Sequence, residues 1–503
     1  MKKIKDIIDV DLDIEIKGVV DDSREVKDGY LFVATNGFNV DHFDYIEDAI
    51  NNGAVFVICD REIYYDVPYF VVEADVDIND FYIECCCKFF DVDLEKFKFI
   101  GITGTDGKTT TANIIYQLLE DCAYIGTNGV IINNQKHCIS NTTPCVSELY
   151  MTLKKIQDSK CKFVSMEVSS EALLHNRVNN IFFERIGYTN ITEDHLNIHG
   201  TVEEYRNSKF KLLNHMSDNS RVFINGDDDN CLLLKNEFFC KYGFGNNNDY
   251  VIKNVKITSN FVKFDIVDKS NFCYEICSPL YGKYNIYNVT LAFLICLSLG
   301  INYEVLYNKI KNLDVIEGRC EFLNFGQTYN IVLDYAHTYN SISNILNTFS
   351  HYKNIIVVTG AAGGREKEKR SKIGKLILDK SSIAIFTMDD PRNESVDDII
   401  DDLIGEDTRF CYRINNRKDA IYKAFELADD DSIVLIIGKG RDNYMAIGDK
   451  KIEYCDYEVI KNYFEKWFFC KFVLFLFLDN KKKYLYNRIR LWFYLNLDGG
   501  IYE

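Results

Sequence analysis

Several common activities are closed to this 503-residue chain by what it lacks. It has no surplus of positive charge: 58 Lys and Arg against 76 Asp and Glu leave a formal net charge of −18. A nucleic-acid or anionic-membrane partner calls for the opposite balance. No apolar run reaches the roughly 18–20 residues of a membrane span. The densest, WFFCKFVLFLFL at 467–478, falls short and is followed by the basic KKKYLYNRIR. The tail 467–503 is therefore expected to be an incidental extension, with a weak membrane-surface anchor as the alternative. The opening MKKIKDIIDVDLD has no apolar signal core. The 17 cysteines are scattered, with no CxxC pair, and adjacent Cys85, Cys86 and Cys87 cannot surround one zinc ion. Reduced thiols in a cytoplasmic protein are expected. Only four prolines, beside abundant Ile, Asn, Lys, Tyr and Phe, reflect an AT-rich coding sequence and carry no mechanism. No internal repeat of fixed period is present.

What is present alternates strand and helix. The length suggests about three domains. The first hundred residues alternate short apolar strands (GYLFVAT, AVFVICD, YFVVEA) with helical stretches such as DYIEDAINNG. A second α/β region follows, with strands at KFVSMEVSS, ERIGYTNIT and RVFINGD, and YVIKNVKITSNFVKFDIV reads as a small antiparallel patch. A third carries YNIVLDYA, NIIVVTGA, SIAIFTMDD and SIVLIIGKG, each followed by helix-like sequence. The expected boundaries are 1–96, 97–317 and 318–466, then the tail. Such alternation predicts an α/β fold with mainly parallel sheets and ligands at the carboxyl ends of the strands.

The most specific stretch is GITGTDGKTTTANIIYQLLE, from Gly101 to Glu120. The alternating apolar FKFIGIT before it reads as a strand, and Ile114, Ile115, Leu118 and Leu119 recur at helical spacing after it. Strand, glycine loop and helix form a phosphate cradle of backbone N–H groups at a helix N-terminus. Gly104, Thr105, Asp106 and Gly107 would line it, with Lys108 reaching the β/γ-phosphates and Thr109 or Thr110 offering a hydroxyl to Mg²⁺. The strict spacing would place glycine where Ile102 stands. Downstream, VSMEVSS puts Glu167 at a strand end, and TNITEDHLNIHG supplies Asp194, His195 and His199 after another strand. A carboxylate and an imidazole there can ligate a divalent metal beside a triphosphate.

GITGTDGKTTT, NTTP, MEVSSEAL, TNITEDHLNIHG, YRNSKFKLL, GRCE, DYAHT and TMDDPRNE stand in the order found in the Mur ligases. Over roughly residues 15–465 the chain resembles that family, most closely the MurE type, which joins a diamino acid to UDP-N-acetylmuramoyl-L-alanyl-D-glutamate in peptidoglycan synthesis. The resemblance implies an N-terminal UDP-sugar domain, a central P-loop ATPase-like domain, a Rossmann-like C-terminal amino-acid domain, and a cytoplasmic monomer. It accounts for Ile102 and implies that Lys209 is carried as a carbamate, an anionic oxygen ligand for Mg²⁺ beside Thr109, Glu167 and His195. Asn285, Asn288, Arg319, Asp334 and His337 match positions that close around ATP as the second and third domains approach. Ser23 and Arg24 match the uridine-side motif. Asn141, Thr142, Thr143, Ser169, His175 and Arg177 match contacts to sugar and peptide, although related enzymes often differ at His175. Read without the resemblance, DDSR is a capped turn.

Arg365, Asp390, Arg392, Gly438 and Asp442 match the amino-acid pocket. Diaminopimelate-adding members usually carry DNPR and GKGHE, so Asp390 and Asp442 depart from that pattern, as Asp106 departs from the usual Asn of the loop. Retained Arg392 suits bidentate capture of a second carboxylate, and an added Asp suits a free ammonium. The pattern stands between diaminopimelate and lysine and leans to the former. Rival readings are another ligase of the superfamily, such as folylpolyglutamate synthase, and a non-catalytic binding protein on the same fold.

Overall fold

The computed structural model describes residues 1–466 apart from 38, 39, 259, 260 and 366. The tail, and the expectation placed on it, lie outside the described residues. The chain divides into two compact units, Met1–Ile316 and the part beginning at Glu317. No helix among the described residues is long and apolar enough to cross a membrane.

The first unit opens with a four-stranded parallel sheet: β1 (Gly18–Val20), β2 (Tyr30–Val33), β3 (Ala54–Cys59) and β4 (Tyr69–Val71). Helix α1 (Ile78–Phe90) follows, capped by the Asp77 carboxylate on the Asn79 N–H. Tyr82, Ile83, Cys85 and Cys86 on its inner face share one core with Leu149, Tyr150 and Leu153. The cysteine triplet is thus packing material, and burial pushes the Cys85 thiol up to about 12. Each fully buried leucine or isoleucine of this core, such as Ile83, Leu149 and Leu153, contributes about 1.5–3 kcal/mol.

The larger sheet of this unit has eleven strands. At its centre β5 (Lys98–Thr103) lies between β7 (Phe163–Glu167) and β8 (Phe183–Tyr188), all parallel, with β6 (Cys122–Gly126) beyond β7. The register pairs Glu167 with Ile102 and Tyr188 with Thr103, so three strands end at one edge. Helix α2 (Lys108–Leu118) starts from that edge and buries Ile114, Ile115 and Leu118. The stretch expected as an antiparallel patch forms Tyr250–Ile257 and Val262–Asp268, which with Cys273–Ser278 continue the flank of this same sheet. Val262, Phe264 and Ile266 bury alternate side chains there, against the helix Lys283–Ser298 and its neighbours.

In the second unit a six-stranded sheet has parallel strands β9 (Asn330–Asp334), β10 (Asn354–Thr359), β11 (Ile383–Phe386) and β12 (Ser432–Ile437). Their order, β9-β12-β10-β11, places the last strand between the first two. All are nearly continuous apolar runs because helices cover both faces of such a sheet. The connecting helices include α3 (Glu368–Lys380) and α4 (Val396–Ile404).

Candidate active site

The loop from β5 to α2 takes its shape from two glycines. Gly104 has φ +145 and Gly107 φ +88. A Cβ would stand 1.9 Å from Thr189 Oγ1 at the first and 2.4 Å from Asn288 Oδ1 at the second. Only glycine fits either position. Asn288 therefore lies against the loop, and Asn285 supports it by accepting from Asn288 Nδ2 at 3.0 Å. Lys108 Nζ donates to the carbonyls of Gly104 (2.9 Å) and Thr105 (2.8 Å). Asn190, which sequence reasoning left unassigned, holds the other side: its Oδ1 accepts from the Asp106 N–H and its carbonyl from the Thr105 N–H. Thr110 is buried in the first turn of α2.

Glu167 is the junction of the site. It is fully buried and accepts Thr109 Oγ1 (2.9 Å), Tyr124 Oη (2.6 Å), the Thr127 N–H (2.8 Å) and Thr127 Oγ1 (3.2 Å). Thr127 Oγ1 continues to Thr142 Oγ1 at 3.1 Å. Thr143 Oγ1 donates to the Glu167 carbonyl and accepts from the Ser169 N–H, while Arg177 Nη1 donates to the Thr143 carbonyl. Ser169 Oγ caps the short helix Ser170–Leu174. One hydrogen-bonded chain thus runs from the phosphate loop to Thr142, Thr143, Ser169 and Arg177. Asn141 and His175 are exposed nearby in sequence.

Lys209 is 1% exposed, and its Nζ donates to the same Gly104 carbonyl as Lys108, at 2.7 Å. The face of the Tyr205 ring lies 4.4 Å away. Burial, then the Lys108 ammonium, push the Lys209 amine well below the ordinary lysine value. Among the described residues no carboxylate pairs with it directly. His195 adopts a left-handed backbone (φ +53), with its ring nitrogens 3.4 Å from Asp194 and 3.7 Å from Glu171. His199 Nε2 bonds Ser170 Oγ instead. No three His, Cys, Asp or Glu side chains gather as a metal cage among the described residues. The expected donor set contains only two of these types. Its Thr109 hydroxyl and Glu167 carboxylate are adjacent hard oxygen donors, which suit Mg²⁺.

DDSR folds as the capped turn that its residues suggest. Asp22 accepts the Arg24 N–H and pairs with its guanidinium, while Ser23 is buried at the start of the turn.

The second unit gathers two further groups. Asp334, at the end of β9, accepts the N–H groups of Cys320 (2.6 Å) and Ala336 (2.7 Å), which joins the GRCE and DYAHT segments. Arg319 lies over the Tyr335 ring, and His337 Nδ1 contacts the Tyr335 carbonyl at 2.8 Å. Gly438 donates its N–H to the Asp334 carbonyl. Next to it Lys439, 0% exposed, is the cation that sequence reasoning missed. Its Nζ stands 2.9 Å from Asp390, 3.6 Å from Asp442 and 3.9 Å from Asp389. Burial raises Asp442 to about 6 despite Lys439, and Asp389 and Asp390 add to the rise. Lysine after a strand-end glycine was the available signal, but its partners lie far off in sequence. Arg365 and Arg392 are exposed, with no carboxylate partner among the described residues.

Three family segments match: the N-terminal one (Mur ligase family, catalytic domain) at 15–82, the Mur ligase middle domain at 102–296, and the glutamate ligase domain at 318–440. A UDP-N-acetylmuramoyl-L-alanyl-D-glutamate--2,6-diaminopimelate ligase of Bacillus licheniformis is 32% identical over 89% of this chain and 94% of its own length. One of the same name from Fusobacterium nucleatum is 34% identical, covering 90% and 95%. A solved structure of a ligase of that name superposes with TM-score 0.61 at 26% identity, covering 92% of this chain and 99% of its own. With three segments in one order and relatives of this identity spanning most of both chains, the protein belongs to the Mur ligase family.

Proposed function

We propose that this ATP-dependent ligase adds a diamino acid, meso-diaminopimelate in preference to L-lysine, to UDP-N-acetylmuramoyl-L-alanyl-D-glutamate in the cytoplasm. The observation that carries the reading is the chain Thr109–Glu167–Thr127–Thr142, continued by Thr143 on the Glu167 carbonyl. It ties the phosphate loop to the residues matched to the sugar-peptide, so an acceptor carboxylate held there stands beside the transferring phosphate. A terminal D-glutamyl oxygen takes the γ-phosphoryl group as ADP leaves. The amine of the diamino acid attacks the resulting acyl phosphate, and the tetrahedral intermediate expels phosphate. The protein supplies position and charge more than covalent chemistry. Lys108 swings from its loop carbonyls to the β/γ-phosphates, and Asn288 holds the loop.

Thr109, Glu167, His195 and Lys209 would hold Mg²⁺, which supplies charge neutralisation at the phosphates when bound. Lys209 fits as a carbamate. A buried ammonium without a carboxylate partner is costly, whereas the modified side chain is an anionic oxygen donor. Arg365 and Arg392 are available to the carboxylates of the amino acid, and Asp442 to its ammonium. By motif resemblance alone, Ser23 and Arg24 are proposed for the uridine side, and Asn141 and His175 for the sugar and peptide. Phosphate release with the UDP-dipeptide and a panel of amino acids tests the reading. Release with diaminopimelate supports it. Binding of both nucleotides without turnover on any amino acid rejects it in favour of a non-catalytic protein.

A further inference from the structure

Glu394, in DDPRNE, is a carboxylate that the nucleotide and amino-acid assignments leave unused. Its Oε1 accepts the Gly364 N–H, and Arg370 takes both oxygens, Nη1 to Oε2 at 2.8 Å and Nη2 to Oε1 at 3.1 Å. Arg370 stands in the first turn of α3 and is 2% exposed. Its Nη1 also donates to Asp402 Oδ2 in α4 at 2.8 Å, and its Nη2 to the Ala362 carbonyl at 3.0 Å. Lys367 stands 3.5 Å from Glu394. One buried guanidinium therefore fastens the loop after β10 to the loop after β11.

These two loops carry Arg365 and Arg392. They touch directly: the Gly363 N–H donates to the Asp390 carbonyl at 3.0 Å, and a Cβ on Gly364 would lie 3.6 Å from Arg392 Nη1. Arg392 has φ +51, a conformation that costs a non-glycine residue free energy and persists only where its surroundings impose it. Its N–H is held by the Ala446 carbonyl and its own carbonyl by the Gly448 N–H. The Arg370 guanidinium also keeps the Glu394 acid down at about 2, so the pair stays ionised at any working pH.

We propose that the Arg370–Glu394 pair is a positioning device for the amino-acid pocket, fixing the spacing of the Arg365 and Arg392 guanidiniums that receive the carboxylates of the incoming amino acid. This rests on the function proposed above. Two long exposed arginines give selective capture only when the loops beneath them are already ordered. Loosening the loops should appear in the KM for the amino acid before it appears elsewhere.

Glu394→Gln keeps the shape and an acceptor for Gly364 but removes the charge. Arg370→Lys keeps the charge but loses the fork, and serves if the first variant fails to fold. In Glu394→Gln the KM for diaminopimelate should rise about tenfold, with those for ATP and UDP-dipeptide within about twofold of wild type. Amide exchange should quicken in 360–365 and 389–395 while β10 and β11 stay protected, and Arg370→Lys should fall between. Unchanged KM and exchange overturn the proposal, as does an equal rise in all three KM values or faster exchange throughout the unit. If the wild type uses no amino acid, the proposed function fails, and the exchange measurement still decides whether the pair orders the loops.

Discussion

Asp442 offers the most quantitative test of the pocket. Its carboxyl is raised from the ordinary 3.8 to about 6, chiefly by burial, and its side chain is 21% exposed. If it receives the substrate ammonium, it must be ionised to do so. One pH unit below its value only about one-tenth remains ionised. The ratio of kcat/KM for diaminopimelate between wild type and Asp442→Asn should therefore fall roughly tenfold from pH 8 to pH 5. Taking the ratio cancels the slope that both enzymes inherit from protonation of the nucleophilic amine. The same group makes an opposite statement about stability. Its folded-state value lies above the unfolded one, so its charge is unfavourable in the fold. The cost is absent below about pH 3.8, grows as pH rises through about 6, and reaches about 3 kcal/mol at pH 8. Solvent access and the loss of the Lys439 contact make that an upper bound on what Asp442→Asn regains. The variant should thus be more stable than wild type at pH 8, in urea unfolding followed in the second unit, and show little advantage at pH 4. A flat activity ratio together with parallel stability curves would refute the reasoning.

Three further outcomes are expected. Lys108→Ala should abolish ADP release, because no other residue of the loop is cationic and Lys209, which shares the Gly104 carbonyl, is proposed to act as an anionic carbamate; activity within a few-fold of wild type removes the phosphate-loop assignment. Lys209→Ala should be nearly inactive and partly restored by added short carboxylic acids standing in for the carbamate, and full unassisted activity would take Lys209 out of the site. Arg392→Ala should impair diaminopimelate more than lysine by about 1.5–3 kcal/mol, or roughly ten- to hundredfold in relative kcat/KM. Equal losses on both substrates would deny Arg392 the distal carboxylate, the one that lysine lacks.

The central sheet was legible because its strands are local and apolar: FKFIGIT and VSMEVSS declare themselves, and a parallel sheet brings their ends to one edge without further information. The convergence of Glu167 on the phosphate loop follows from that shared edge, whereas its hydrogen bond with Thr109 appears only in the fold. Less legible were groups whose partners lie far away in the chain. Thr127 and Asn190 look like ordinary turn residues until the fold sets them on Glu167 and the phosphate loop. Asn288 lies within an apolar helix, and only the fold shows its Oδ1 facing Gly107 and its Nδ2 on Asn285. Arg370 lies in a charged run, EKEKR, that suggests a solvated helix face, yet it is buried because carboxylates from two later segments meet it. Hydrophobic periodicity reports which face of an element is inward. It does not report which polar group has been taken inside as a partner.

Asp390 shows what this means for specificity. From sequence it is an extra negative charge in a motif that usually carries Asn, poised to attract an ammonium or repel a carboxylate. In the fold its Oδ1 accepts both Lys439 Nζ at 2.9 Å and the Ala446 N–H at 2.8 Å, so its charge is answered inside the protein. Lys439 is shared with Asp442, and Asp390 is one of the two anions that help hold Asp442 high. Replacing Asp390 by Asn leaves an oxygen for Ala446, removes one of those anions and leaves Lys439 more fully to Asp442. The Asp442 carboxyl should then titrate lower, and the acid limb of kcat/KM should move below pH 6 with it. The diaminopimelate-to-lysine ratio should stay within about twofold, because a charge paired with Lys439 contributes little to a substrate carboxylate beyond it. A large change in that ratio with an unmoved acid limb would mean that Asp390 faces the substrate and that its contact with Lys439 is incidental.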